Sequence, residues 1–236
     1  MNIAEKILKT DCLLADANKT LYDAKFRASA KSVFTNFITS LTRDRGESIA
    51  YLAEFVKGLL SDLDIDPIKQ LTHYMLVRNI GEDDFKKATE TYIRNHEFPG
   101  VRDFINSYKN SSDDKKFIIT SRHTFAELAV NYFGADDSVT NKTIFENGVF
   151  QRSWVPIKTA ADKLRGTRKK LSEYGLDFSD CCFIGDGERD VPIGERCEIF
   201  LASPHAKPEV IQKADFFIRD YGYLARKLQQ EMQQGL

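Results

Sequence analysis

This 236-residue chain has no apolar run approaching the roughly 20 residues that a membrane-spanning helix needs. Its first stretch, MNIAEKILKTD, is too short and too charged to read as a secretory leader, so the expected location is the cytoplasm. A net charge of −1 sets up no overall field toward nucleic acid or an anionic membrane, and neither is expected as a partner. Cysteine is scarce. Cys12, Cys181, Cys182 and Cys197 form no CxxC pair and have no histidine at metal-site spacing. They are expected to be reduced, small apolar side chains. There is no internal repeat and no low-complexity segment. What remains, 42% hydrophobic and 29% charged, describes an ordinary globular protein.

Short apolar runs recur along the chain: CLLA (12–15), KFIIT (116–120), CCFIG (181–185), EIFLA (198–202) and FFI (216–218). Each is bounded by polar or turn residues, as strands buried on both faces are. From residue 116 onward they alternate with helical patterns. KTAADKLRGTRKKLSEYG places Leu164 and Leu171 on one face and ends in Gly175, a natural helix stop. The expected fold class is therefore α/β, a doubly wound parallel sheet of Rossmann-like form. Residues 24–98 break the alternation. Four helical patterns follow one another there, with Asp66–Pro67 and Gly81 as breaks, and FPGV at 98–101 returns the chain to the sheet. The predicted organisation is a core of residues 1–23 and 99–236 with an inserted all-α cap at 24–98. The tail LARKLQQEMQQGL reads as a surface helix that frays.

In a doubly wound sheet, function gathers at the C-terminal ends of the strands. The first run ends in Asp16, the second in Thr120 and Ser121, and CCFIG runs into GDGERD with Asp186 and Asp190. Asp16 and Asp186 on adjacent strands would crowd two like charges, which calls for a neutraliser. Mg²⁺, a hard cation that takes carboxylate and phosphate oxygens, fits. Thr120 offers a hydroxyl to a phosphate, and Lys163, early in its helix, could reach over the same point. Each element alone is common, and their order and topology together are specific. By contrast, SDLDIDP (61–67) only mimics a calcium loop: Pro67 stands where such a loop needs glycine and His73 where it needs glutamate.

The set DANKTL, FIIT, Lys163 and GDGERD resembles the four motifs of the haloacid dehalogenase superfamily, in detail its phosphoserine-phosphatase-like branch. VTNKTIFENGVFQRSW resembles that branch's hairpin, and the helical insert sits where the family carries its cap. The resemblance implies a Mg²⁺-dependent hydrolase of a small phosphorylated metabolite, monomeric or homodimeric. It implies Asp16 as the nucleophile that forms an aspartyl-phosphate. It implies Mg²⁺ held by Asp16, the carbonyl of Asn18 and Asp186, with Asp190 ligating or orienting. Thr120, Ser121, Arg122 and Lys163 are the expected phosphate contacts.

The chain departs from that pattern in places. The family's acid–base aspartate is Asn18 here, which can donate a hydrogen bond but cannot exchange a proton. Turnover is expected to be attenuated. The alternative is a weak or inactive relative that binds a phosphorylated ligand or a partner. The usual Gly-Thr step is Lys19-Thr20, and Arg189 replaces an asparagine. Lys25 stands where the branch uses an acidic residue for a substrate amine, which argues against phosphoserine. Lys25, Arg27 and Arg122 could instead attract a second anionic group, and His123 or Arg122 could stand in for the missing acid.

Overall fold

The computed structural model describes residues 2–23, 81–122 and 126–234. Lys25, Arg27, His123, the 61–67 segment and the first three helical patterns of the insert lie outside them.

The chain opens with α1 (Ile3–Lys9), capped by the Asn2 side chain, which accepts the Glu5 amide at 3.0 Å. β1 (Cys12–Ala15) follows, and then, within the described residues, α2 (Glu82–His96), α3 (Val101–Lys109), β2 (Lys116–Ser121), α4 (Ala126–Phe133) and β3 (Asp137–Thr140). A hairpin of β4 (Lys142–Glu146) and β5 (Val149–Trp154) precedes α5 (Ala160–Glu173) and β6 (Cys181–Gly185). The chain closes with α6 (Val191–Gly194), β7 (Ile199–Ala202), α7 (Pro208–Ile211), β8 (Phe216–Phe217) and α8 (Tyr221–Gln233).

Six strands form one sheet in the order β3-β2-β1-β6-β7-β8, and every pairing is parallel. The fold is thus the expected doubly wound α/β sheet. The apolar runs are its strands because both faces are covered. Leu14, Ile118, Cys181, Phe183 and Phe200 pack with Leu171, Phe178, Ile193 and Val210 into one fully buried cluster. All four cysteines are free thiols. Burial pushes the Cys182 thiol well above its ordinary range, as befits an inert core residue.

Two elements differ from the sequence reading. β3 is a parallel edge strand over DSVT, a stretch too short and polar to announce itself. α8 starts earlier than the tail pattern suggests and is not a frayed surface helix. Tyr221, Leu224, Ala225 and Leu228 are buried, and it packs against α3, with the Phe104 and Tyr221 rings 5.8 Å apart. The approach is close at Gly100, where an added Cβ would lie 2.4 Å from the Gly222 nitrogen.

Contacts divide the chain into two units: Met1–Asp23, Glu97–Asn141 and Val155–Leu236 in one, Ala24–His96 and Lys142–Trp154 in the other. In the second unit, α2 meets the hairpin through the Phe85 and Phe145 rings at 5.4 Å and the Glu82 amide, which donates to the Gly148 carbonyl at 2.8 Å. Among the described residues, no helix is long and apolar enough to cross a membrane.

Candidate active site

Register brings three strand tips level. Ala15 pairs with Ile119 on one side and Ile184 on the other, so Asp16, Thr120–Ser121 and Gly185–Asp186 emerge side by side. The Asp16 amide continues the ladder by donating to the Ile184 carbonyl at 2.9 Å.

The loop after Asp16 is tied down from several directions. Ser203 Oγ donates to the Lys19 carbonyl at 2.8 Å, and the Tyr221 hydroxyl donates to the Thr20 carbonyl at 2.7 Å. The Lys19 amide donates to the Tyr22 carbonyl at 2.6 Å. Lys19 sits at φ 59, in the left-handed region that favours glycine. Asn18 lies half-buried in this loop.

Lys163 sits in the first turn of α5. Thr159 and Asp162 close a capping box that fixes where this helix starts. The Lys163 ammonium, 2% exposed, donates to Asp16 Oδ1 at 2.7 Å and to Asp190 Oδ1 at 2.6 Å. Asp190 Oδ2 accepts the amides of Asp186 and Gly187, both at 3.0 Å. Asp190 therefore both balances Lys163 and shapes the loop that carries Asp186. That loop closes because residue 185 has no side chain: a Cβ there would lie 2.6 Å from Asp190 Cβ. Gly185→Ala should displace Asp190 and with it Lys163. The expected result is a loss of about 1–3 kcal/mol of stability from overpacking, read by urea unfolding, together with impaired phosphate binding.

Oxygen atoms of Asp16, Asp186 and Asp190 lie within 4.8 Å of one another. Burial first, then the Asp190 charge, raise the Asp16 carboxyl to about 6, against the opposing pull of Lys163 and a hydrogen bond from Ser121. Burial first, then the charges of Asp16 and Asp190, push Asp186 up to about 8. Burial alone would lower the Lys163 ammonium; the two carboxylates outweigh it and hold the group above its ordinary range. A cluster of hard oxygen donors that resists full ionisation fits a divalent cation such as Mg²⁺.

Both raised carboxyls carry the same sign of linkage. Their protonated forms favour the folded state, and that contribution fades as pH rises through about 6 for Asp16 and about 8 for Asp186. The metal-free protein should therefore melt lower at pH 9 than at pH 6. The stabilising increment from Mg²⁺ should grow over that interval, because cation binding displaces protons. Melting curves with and without Mg²⁺ at several pH values measure both.

Thr120 is fully buried, and its Oγ1 has no hydrogen-bond partner among the described residues. A buried hydroxyl left unpaired costs about 1–3 kcal/mol, so a polar ligand at this strand tip is the natural complement. Ser121 bonds Asp16. Arg122 is half-buried, its Nη1 donating to the Lys158 carbonyl at 3.1 Å.

Two residues at the site were not anticipated. Asn141, 2% exposed, donates to the carbonyls of Arg122 at 2.5 Å and Ile157 at 3.2 Å, and accepts the Ile157 amide at 2.9 Å. It clasps the β2 tip to the segment that feeds α5. Ser203 is the other. Both act through backbone groups, which leave no signature in a sequence.

Residues 74–221, more than half of the chain, match the family of haloacid dehalogenase-like hydrolases, and the chain belongs to that family. The matched span contains Thr120, Lys163, Asp186 and Asp190 and begins after Asp16. A phosphoglycolate phosphatase of Thermoplasma volcanium is 27% identical over 94 residues, a stretch covering 40% of this chain and 40% of that protein. Among solved structures, an apo phosphoserine phosphatase aligns with a TM-score of 0.59 at 17% identity, over 94% of this chain and 98% of that one. A probable phosphoserine phosphatase from Vibrio cholerae aligns with a TM-score of 0.63 at 18% identity, over 98% of this chain and 68% of that one. At such identities these structures establish the shared fold.

Proposed function

We propose that the chain is a Mg²⁺-dependent hydrolase of a small phosphorylated molecule that works through an aspartyl-phosphate on Asp16 and is slowed by Asn18. The observation that carries this reading is the Lys163 ammonium held 2.7 Å from Asp16 and 2.6 Å from Asp190 at the strand tips. Residues 24–98 serve as its helical cap, a reading supported by α2 at the end of that insert.

Asp16, Asp186 and the carbonyl of Asn18 would hold the cation, with Asp190 orienting that shell, since its oxygens already accept from Lys163 and two amides. When bound, Mg²⁺ supplies positive charge to offset that of the phosphoryl group. The ionised Asp16 attacks phosphorus, an O–P bond forms, and the ester O–P bond breaks. Thr120 Oγ1 donates to a phosphoryl oxygen, with Ser121 and Arg122 beside it. Lys163 neutralises charge on Asp16 and the transferring group. The leaving oxygen then needs a proton, and water attacking the aspartyl-phosphate must lose one. Asn18 can do neither.

The test is p-nitrophenyl phosphate, whose leaving group needs little acid help. Turnover with Mg²⁺ that vanishes on chelation is expected. Absence of turnover in both the native chain and Asn18→Asp would remove the hydrolase reading. Asn18 itself favours a second reading, a protein that binds a phosphorylated ligand with little turnover; activity gained only in Asn18→Asp would select it.

A further inference from the structure

Among the described residues, two that are not glycine sit in the left-handed backbone region: Asn147 at φ 52 and Lys19 at φ 59. Asn147 is ordinary there. It stands with Gly148 at the tip of the β4–β5 hairpin, where asparagine tolerates this backbone in a tight turn. Lys19 is different. In that conformation its Cβ crowds its own carbonyl, and its side chain has no short polar group to offset the cost locally. A residue so placed persists only when its surroundings hold it.

The hold comes from Ser203, which directly follows β7. Its amide donates to the Gly185 carbonyl at 3.0 Å, which fixes it beside the tip of β6. From there its Oγ donates to the Lys19 carbonyl at 2.8 Å. Ser203 is fully buried, so water does not compete for this hydroxyl. That bond fixes the peptide on the C-terminal side of Lys19. On the N-terminal side, the Lys19 amide donates to the Tyr22 carbonyl at 2.6 Å. With both flanking peptides tied, Lys19 cannot relax to negative φ.

The consequence falls on Asn18. The Asn18–Lys19 peptide is trans, and in a trans peptide the C=O and N–H point in opposite directions. The Lys19 N–H points at Tyr22, so the Asn18 carbonyl points away from it. If Lys19 relaxed, this peptide would rotate and carry that carbonyl with it. We propose that Ser203 is a positioning residue for the cation: its hydroxyl holds Lys19 left-handed and thereby sets the direction of the Asn18 carbonyl. The proposal rests on the reading of that carbonyl as a Mg²⁺ ligand and does not need hydrolysis.

The test is calorimetric titration of the full chain with MgCl₂, comparing Ser203 with Ser203→Ala in three backgrounds. Ser203→Ala keeps the amide bond to Gly185 and loses only the hydroxyl. In the native background it should weaken Mg²⁺ binding about fivefold, the worth of one neutral hydrogen bond. Beside Lys19→Gln, which removes the lysine charge but keeps a Cβ, the loss should stay at about fivefold. Beside Lys19→Gly, which enters the left-handed region without steric cost, it should shrink to about twofold or less. A general loosening of the fold would not distinguish glycine from glutamine at position 19. Native-like Mg²⁺ affinity in Ser203→Ala, or the same loss in all three backgrounds, would overturn the positioning role while leaving the cation site in place. Absence of Mg²⁺ binding by the native chain would remove the cation reading and the role with it. If the affinities behave as expected while p-nitrophenyl phosphate is not turned over, the role stands and the hydrolase reading alone fails.

Discussion

Asn18→Asp is expected to raise turnover of an alkyl phosphomonoester by about 10²–10⁴-fold, the usual worth of a positioned acid–base group. An alkoxide leaves badly without a proton, and the water that later cleaves the aspartyl-phosphate must give one up. On the proposed mechanism a carboxyl at position 18 would serve both steps, and an amide, which cannot exchange a proton, would serve neither. The substitution is isosteric, and the surrounding loop is already fixed by Ser203 on the Lys19 carbonyl and Tyr221 on the Thr20 carbonyl. The new carboxyl would stand on the loop that follows Asp16, two residues along the chain. p-Nitrophenyl phosphate should gain less, because its first step needs no proton. Steady-state kcat for the two substrates, native against variant, checks this. Equal gains for both substrates would place the deficit in the second step alone.

Lys163→Met is expected to abolish measurable turnover and to destabilise the fold by about 3–5 kcal/mol, as when one member of a buried ion pair is removed. Lys163 is 2% exposed and is bonded to both Asp16 and Asp190, so its loss strands two buried carboxylates. The deficit should depend on pH with a definite sign. At low pH the stranded carboxyls protonate and the penalty shrinks; at neutral pH it is largest. Urea midpoints at pH 5 and pH 8 give the comparison. A destabilisation independent of pH would mean that Lys163 acts by packing alone. Mg²⁺ should recover part of the lost stability by supplying positive charge to the same oxygens.

The sheet was legible in the sequence because a strand covered on both faces has no polar side to interrupt it. CLLA, KFIIT and CCFIG are such strands, and register then set Asp16, Thr120 and Asp186 side by side. Lys163 could be named only through motif order, because a lysine in the first turn of a helix is unremarkable until its partners are known. DSVT was not legible as β3 because an edge strand needs less apolar surface. The buried face of α8 was missed because Tyr221, which anchors it, precedes the stretch with helical spacing. Asn141 and Ser203 escaped for a different reason. They bond backbone groups, which belong to every residue alike.

The most direct measurement of the central claim is the site of phosphorylation during turnover. The native chain is mixed with p-nitrophenyl phosphate and Mg²⁺, quenched in acid, and peptide-mapped by mass spectrometry. Because Asn18 cannot activate water, the aspartyl-phosphate should accumulate on the peptide containing Asp16, be absent from Asp16→Asn, and be short-lived in Asn18→Asp. A phosphoryl group found on any other residue, or turnover that persists in Asp16→Asn, would contradict the account.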